Sequence, residues 1–165
     1  MKRLTLMRHG KAESEALYDS DFERPLAARG VQEAALMAER LAQSGWRPQR
    51  ILTSPAPRAL TTAGLAREAL GGERVPLQTA PELYLATPDE LWAALTRHAG
   101  ACDDVLLVGH NPGLSELGRR LAPVRLDDLP TAGVIGFEFD GGWDDWQRHA
   151  GRLVYFDHPL RALQR

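Results

Sequence analysis

Leu4-Thr5-Leu6-Met7-Arg8-His9-Gly10 decides the fold. Four apolar or β-branched residues in a row read as a strand buried on both faces. An arginine, a histidine and a glycine follow at once, where the strand meets solvent. Residues just past the carboxyl end of such a strand line the ligand crevice of an open α/β sheet. Histidine placed there can be neutral and nucleophilic near pH 7, and a guanidinium offers a rigid fork of donors suited to a tetrahedral oxyanion. Gly10 removes the Cβ that would crowd a phosphate against the backbone.

Two further strand ends repeat the arrangement. Val105-Leu106-Leu107-Val108 runs into Gly109-His110-Asn111-Pro112-Gly113, so His110 takes the same place on its strand as His9 does on the first. Asn111 suits a helix cap and Pro112 the first turn, which predicts a helix amino terminus, with its free N–H groups, beside His110. Ile51-Leu52-Thr53-Ser54-Pro55-Ala56-Pro57-Arg58 is a third strand entering a helix, with Arg58 in the first turn. A cation there opposes the helix dipole, and a bound anion would reverse that conflict. Strand ends carrying Arg-His, Arg and His together point to an anion site.

Strands are predicted near residues 3–8, 50–54, 75–79, 104–108, 133–139 and 152–156, alternating with helices over 31–44, 57–70, 88–98 and 112–121. Gly45 closes the first helix and Gly71-Gly72 the second. Alternation of this kind implies a three-layer α/β/α arrangement with a mostly parallel central sheet. The alternating Ile135, Phe137 and Phe139, followed by Leu153 to Phe156, add an antiparallel edge hairpin. Its connection, 140–151, holds Trp143 and Trp146, which are expected to cover the end of the sheet. His149 and His158 are expected at the surface.

At 165 residues the chain is expected to form a single domain over 1–165. A net charge of −2 argues against nucleic acid as a partner. Cys102, the one cysteine, excludes an internal disulfide, and no apolar run is long enough to span a membrane or form a signal segment. The expected location is the cytoplasm.

Beyond these residue-level readings, the chain resembles the histidine phosphatase superfamily, phosphoglycerate-mutase-like in fold, and within it the small SixA-type phosphohistidine phosphatases. Arg8-His9-Gly10, Ser54-Pro55 with Arg58 and Thr62, and Gly109-His110-Asn111-Pro112 carry the resemblance. Arg24-Pro25-Leu26 with Gly30, Leu83-Tyr84-Leu85 and Leu129-Pro130-Thr131 extend it. The resemblance implies that His9 accepts the phosphoryl group and that Arg8, Arg58 and His110 hold it; Gly10, read above as making room for phosphate, is a substrate-binding candidate beside them. The resemblance also implies a hydrolase acting on a phosphohistidine protein or a small phosphate ester. Because phosphoryl transfer is chiefly positioning and charge stabilisation, a ring of Arg8, Arg58 and His110 is expected to do that work without a metal or other cofactor.

Two departures narrow the reading. Mutase-like relatives keep an Asn shortly after the first His, and Lys11-Ala12-Glu13-Ser14-Glu15 has none; they also insert a long lid where only a modest helical segment separates Leu83 from Val105. Glu82 matches the place where ester-cleaving relatives keep a general acid, with an exposed carboxylate as the other reading. Asp21 and Arg24 are either an ion pair or a contact to incoming substrate. Two other classes compete. A metallohydrolase would use both histidines as ligands, yet the arginines would repel its cation. A non-catalytic phosphate-binding module would leave His9 without a role.

Overall fold

The computed structural model describes residues 1–122, 125–144 and 151–160. Its strands are β1 (Lys2–Arg8), β2 (Arg50–Thr53), β3 (Leu77–Thr79), β4 (Asp104–Gly109), β5 (Val134–Phe139) and β6 (Arg152–Asp157). The helices are α1 (Ala28–Gln43), α2 (Pro57–Leu70), α3 (Pro88–His98) and α4 (Gly113–Leu121). All six strands form one sheet in the order β3-β2-β4-β1-β5-β6. The first four run parallel, while β5 and β6 are antiparallel to their neighbours. This is the phosphoglycerate-mutase-like α/β fold, with the antiparallel edge that the sequence implied.

The two faces of the sheet divide the apolar residues by strand period. Leu4 and Leu6 of β1, Leu52 of β2, and Val105 and Leu107 of β4 join the core formed with Leu91, Trp92, Leu95, Leu114 and Leu117 of α3 and α4. Met7, Ile51, Leu106 and Val108 join Ala34, Met37, Ala59 and Ala63 of α1 and α2 on the other face. A strand covered on both sides has no need of polar alternation, which is why β1 and β4 read as unbroken apolar runs. Leu4, Leu6 and Met7 are fully buried, and each contributes about 1.5–3 kcal/mol by leaving water.

Local signals explain most boundaries. At α3, Thr87 accepts from the Glu90 N–H while the Glu90 carboxylate accepts from the Thr87 N–H, a reciprocal capping box. Helix α1 begins at Ala28, three residues before its predicted start, because its cap position is Ala27, which offers no capping oxygen to read. Helix α4 begins at Gly113, with Pro112 rather than Asn111 at the cap position; Asn111, one residue earlier, accepts at Oδ1 from the Ser115 N–H and hydroxyl. Gly113 has its own cause: a Cβ there would lie 1.9 Å from the Ala86 carbonyl oxygen.

Trp143 does cover one end of the sheet, packed on Trp92 and Phe139 with its indole N–H on the Cys102 carbonyl. Trp146 and His149 lie outside the described residues. His158, expected at the surface, is half-buried with its ring against Phe156 at 5.6 Å. Among the described residues no helix is long and apolar enough to cross a membrane.

Candidate active site

Because β1 and β4 are adjacent and parallel, with Arg8 opposite Gly109, the residues that leave them emerge side by side. His9 and His110 come to rest with ring centroids 5.1 Å apart. They line a cavity of about 280 Å³ together with Arg8, Lys11, Ala12, Asp21, Arg24, Arg58, Leu85, Asn111 and Thr131. Three strand ends thus meet at one pocket, as their sequence pattern predicts.

His9 is held on every polar side but one. Its backbone N–H donates to the Gly109 carbonyl, and its own carbonyl accepts from Ala132. Nδ1 lies 2.7 Å from the Gly10 carbonyl oxygen. A carbonyl only accepts, so Nδ1 carries the proton and Nε2 keeps its lone pair. His9 as a residue is 8% exposed. Burial, and after it the charges of Arg58 and Arg8, brings its pKa down to about 4 despite the Gly10 bond that favours the cation. Desolvation therefore outweighs the arginine field in keeping this imidazole neutral.

His110 is neutral for the same leading reason, with a pKa near 3 from burial and then from His9 and Arg58. Nε2 meets the Ser54 hydroxyl at 2.8 Å, and Nδ1 is buried without a hydrogen-bond partner. Arg8 donates from Nη1 to the Leu129 carbonyl. Arg58, the second residue of α2 and almost fully buried, donates from Nη1 to the Asp21 carbonyl at 2.6 Å and from Nη2 to Asp21 Oδ2 at 2.8 Å. Nε of each arginine is buried and unpartnered. Unmet polar atoms in an interior are costly, and the strand ends gather three of them, all nitrogens, around one pocket.

Several expectations change here. Gly10 does not line the cavity. A Cβ on it would stand 2.6 Å from the Gly30 carbonyl, and one on Gly30 would stand 2.1 Å from that of Lys11. The pair lets the β1 exit lie against the first turn of α1, so a packing demand, rather than room for phosphate, requires glycine. Its N–H donates to Thr62 Oγ1, whose hydroxyl donates to the Arg58 carbonyl, tying the β1 exit to α2. Glu82 is absent from the cavity lining. Its carboxylate pairs with Arg97 at 2.9 Å and His98 at 3.2 Å at the end of α3, outside the cavity that His9 and His110 line.

Asp21 and Arg24 do reach the cavity. Tyr84 was carried only by the resemblance; its hydroxyl donates to Asp21 Oδ2 at 2.7 Å, and its ring stands edge-on to His110 at 5.3 Å. Ser54 and Asn111 gave local signals, as strand-end and cap residues, without showing that they would hold His110 and the Leu129 loop.

Comparison with known proteins agrees with this geometry. The family model for the histidine phosphatase superfamily (branch 1) matches residues 4–84, which include Arg8, His9 and Arg58. An uncharacterised protein of Mycobacterium tuberculosis is 32% identical over 169 residues, covering 93% of this chain and 99% of its own. A structure named for the phosphohistidine phosphatase SixA of Agrobacterium tumefaciens superposes at a TM-score of 0.76 with 27% identity, over 96% of this chain and 98% of that one. The protein histidine phosphatase SixA complexed with tungstate gives 0.79 at 25% identity, over 97% and 99% of the two chains. With the arginine–histidine end of β1 inside the matched stretch, the chain belongs to the histidine phosphatase superfamily and is a phosphatase.

Proposed function

We propose that this phosphatase works through a phosphohistidine on His9 and removes phosphate from phosphohistidine on a protein. The observation that carries the reading is the Nδ1 contact to the Gly10 carbonyl, which leaves the lone pair on Nε2 of a ring that shares its cavity with Arg8, Arg58 and His110. Nε2 attacks phosphorus and the bond from phosphorus to the leaving group breaks. Water then attacks the phosphorus of phospho-His9, its P–N bond breaks, and inorganic phosphate leaves. Phosphoryl transfer is chiefly positioning and stabilisation of charge on the equatorial oxygens, work suited to two guanidiniums and a neutral imidazole donor.

The leaving group favours phosphohistidine over an ester. An alkoxide departs poorly without an acid, and among the described residues Asp21 is the one carboxyl group lining the cavity. The Tyr84 hydroxyl, with Arg24 and Arg58, holds it well below the usual carboxylate range, hence ionised. Imidazole, with a conjugate-acid pKa of about 6.5, leaves from an already protonated phosphohistidine without help.

Rapid quenching with a labelled phosphohistidine carrier protein, followed by peptide mapping, tests the assignment. Acid-labile, base-stable label on His9 is expected, with labelling and turnover lost in His9→Ala and turnover unchanged in excess chelator. Label on His110, activity in His9→Ala, or rescue of a chelated enzyme by Zn²⁺ would overturn it. Faster turnover of small phosphate esters than of the carrier would move the substrate to the ester class.

A further inference from the structure

Resting on that reading of the site, we infer that Asp21 is the positioning residue for Arg58, fixing which edge of the guanidinium faces the phosphoryl group. One residue takes both terminal nitrogens, Nη1 on its main-chain carbonyl and Nη2 on its carboxylate. An arginine whose two terminal nitrogens are claimed in this way is no longer free to rotate, and its Nε edge is left over, unpartnered.

A direct contact between Asp21 and the substrate fits less well. A carboxylate has about four acceptor positions. Arg58 and the Tyr84 hydroxyl both use Oδ2, and Arg24 Nη1 uses Oδ1 at 2.9 Å. Its charge is thus shared between two guanidiniums before any ligand arrives, and it would repel rather than attract a phosphoryl dianion. The three partners also come from three separate places: the loop after β1, the first turn of α2, and the segment after β3. Arg24 is anchored in turn, its Nε donating to the Glu13 carbonyl. Asp21 therefore joins the loop at the pocket mouth to the cation that enters from α2, and orientation of that cation is what the joint controls.

Orientation and attraction predict different losses. Inorganic phosphate, a ground-state ligand, responds mainly to net charge, while orthovanadate, which adopts the trigonal-bipyramidal shape of the transferring group, responds to where the donors point. Calorimetric titration of both ligands into the wild type, Asp21→Asn, Arg58→Ala and the double variant separates the two. Asp21→Asn is expected to weaken vanadate by roughly 10- to 100-fold and to leave phosphate within about threefold or tighter, since a negative charge has been removed. In the Arg58→Ala background it should weaken vanadate no further, because residues acting as one unit are not additive. Tyr84→Phe should shift vanadate in the same direction by a smaller factor.

Equal weakening of vanadate and phosphate, an additive effect in the double variant, or no effect of Asp21→Asn would each overturn the assignment. These are binding measurements, so they stand apart from the proposed turnover. A wild type that binds vanadate tightly but does not hydrolyse phosphohistidine would sink the substrate reading and leave the role of Asp21 to be decided by the cycle.

Discussion

The two ends of the β1–β4 pair bury charge in opposite ways. At the amino ends, Lys2 meets Asp103 at 2.6 Å, Arg3 meets Glu138 at 2.8 Å and Asp104 at 3.8 Å, and Arg3 also lies over the Trp46 ring at 4.5 Å. Each cation there has a carboxylate. Six residues further along the same strands, Arg8 has no carboxylate within ion-pairing distance among the described residues, and the two histidines beside it are buried and neutral. Same strands, same register, opposite electrostatics: paired charge holds the sheet together, and unpaired donors are left where an anion is to be bound. A donor already satisfied by protein cannot also hold substrate, and Arg58 follows the same rule atom by atom: its terminal nitrogens are taken by Asp21 while its Nε is left unpartnered.

Exchanging the same substitution between the two ends is the strongest way to break that comparison. Arg8→Ala should lower kcat/KM by roughly 10²–10³-fold, the usual cost of removing one donor from developing charge, with little change in Tm, since it gives up one hydrogen bond and one half-buried cation without a carboxylate partner among the described residues. Arg3→Ala should do the reverse, costing about 1 kcal/mol of stability through its half-exposed ion pairs and its stacking on Trp46 while leaving kcat/KM within twofold. Steady-state kinetics and thermal melts on both variants decide it. A large stability loss in Arg8→Ala, or an activity loss in Arg3→Ala, would show that pairing does not sort structural from functional charge here.

A smaller effect comes from pH, because the two ends titrate against each other. His9 and His110 have folded pKa values of about 4 and 3, below the unfolded value of about 6.5. The unfolded chain binds more protons as pH falls from about 6.5 to 4, so this end loses stability with acid. Asp104 has its pKa raised to about 6, chiefly by burial. Its stabilising contribution is complete below the unfolded value near 3.9 and is lost as pH rises through 6. In Asp104→Asn the opposing titration is gone: the variant should be more stable than wild type by ~1 kcal/mol at pH 7, with the advantage gone by pH 4 and a steeper acid limb. Urea melts across pH 4–8 give both curves, and parallel curves would show that Asp104 is not the titrating group.

What the sequence disclosed follows the same division between local and distant causes. The Leu4 to Met7 run and the equivalent placement of His9 and His110 just past their strands are short-range, and each is found where its pattern puts it, whereas the adjacency of β1 and β4 is a property of the sheet. Arg58 is legible as a cation at odds with its helix dipole. Its partner is not, because Asp21 lies 37 residues away and Tyr84 meets that carboxylate across 63. Gly10 was readable as a position needing no side chain, but the reason, the approach of Gly30, depends on how α1 docks. Ala27 left the start of α1 unmarked because no capping side chain announces it.

Glu82 sharpens the comparison last and with the smallest expected effect. It lies just beyond the carboxyl end of β3, at the active-site end of the sheet, yet it is paired as the charges of the opposite end are, with Arg97 and His98 of α3. Asp21 is paired too, but with cations that line the cavity, whereas the partners of Glu82 lie outside it, so this carboxylate belongs to the structure. A general acid in reach of the leaving group contributes on the order of 10²–10⁴-fold on an alkyl ester, so the two outcomes are far apart. Glu82→Gln should keep kcat/KM within twofold on a phosphohistidine peptide and on an alkyl phosphate alike. It should also lower Tm slightly, because the exposed Arg97 loses a partner in a pair worth at most about 1 kcal/mol. Kinetics on both substrates from pH 6 to 8 measure this. A loss confined to the ester would mean that the carboxylate swings off Arg97 during turnover, and the inference from pairing to role would fail at the site itself.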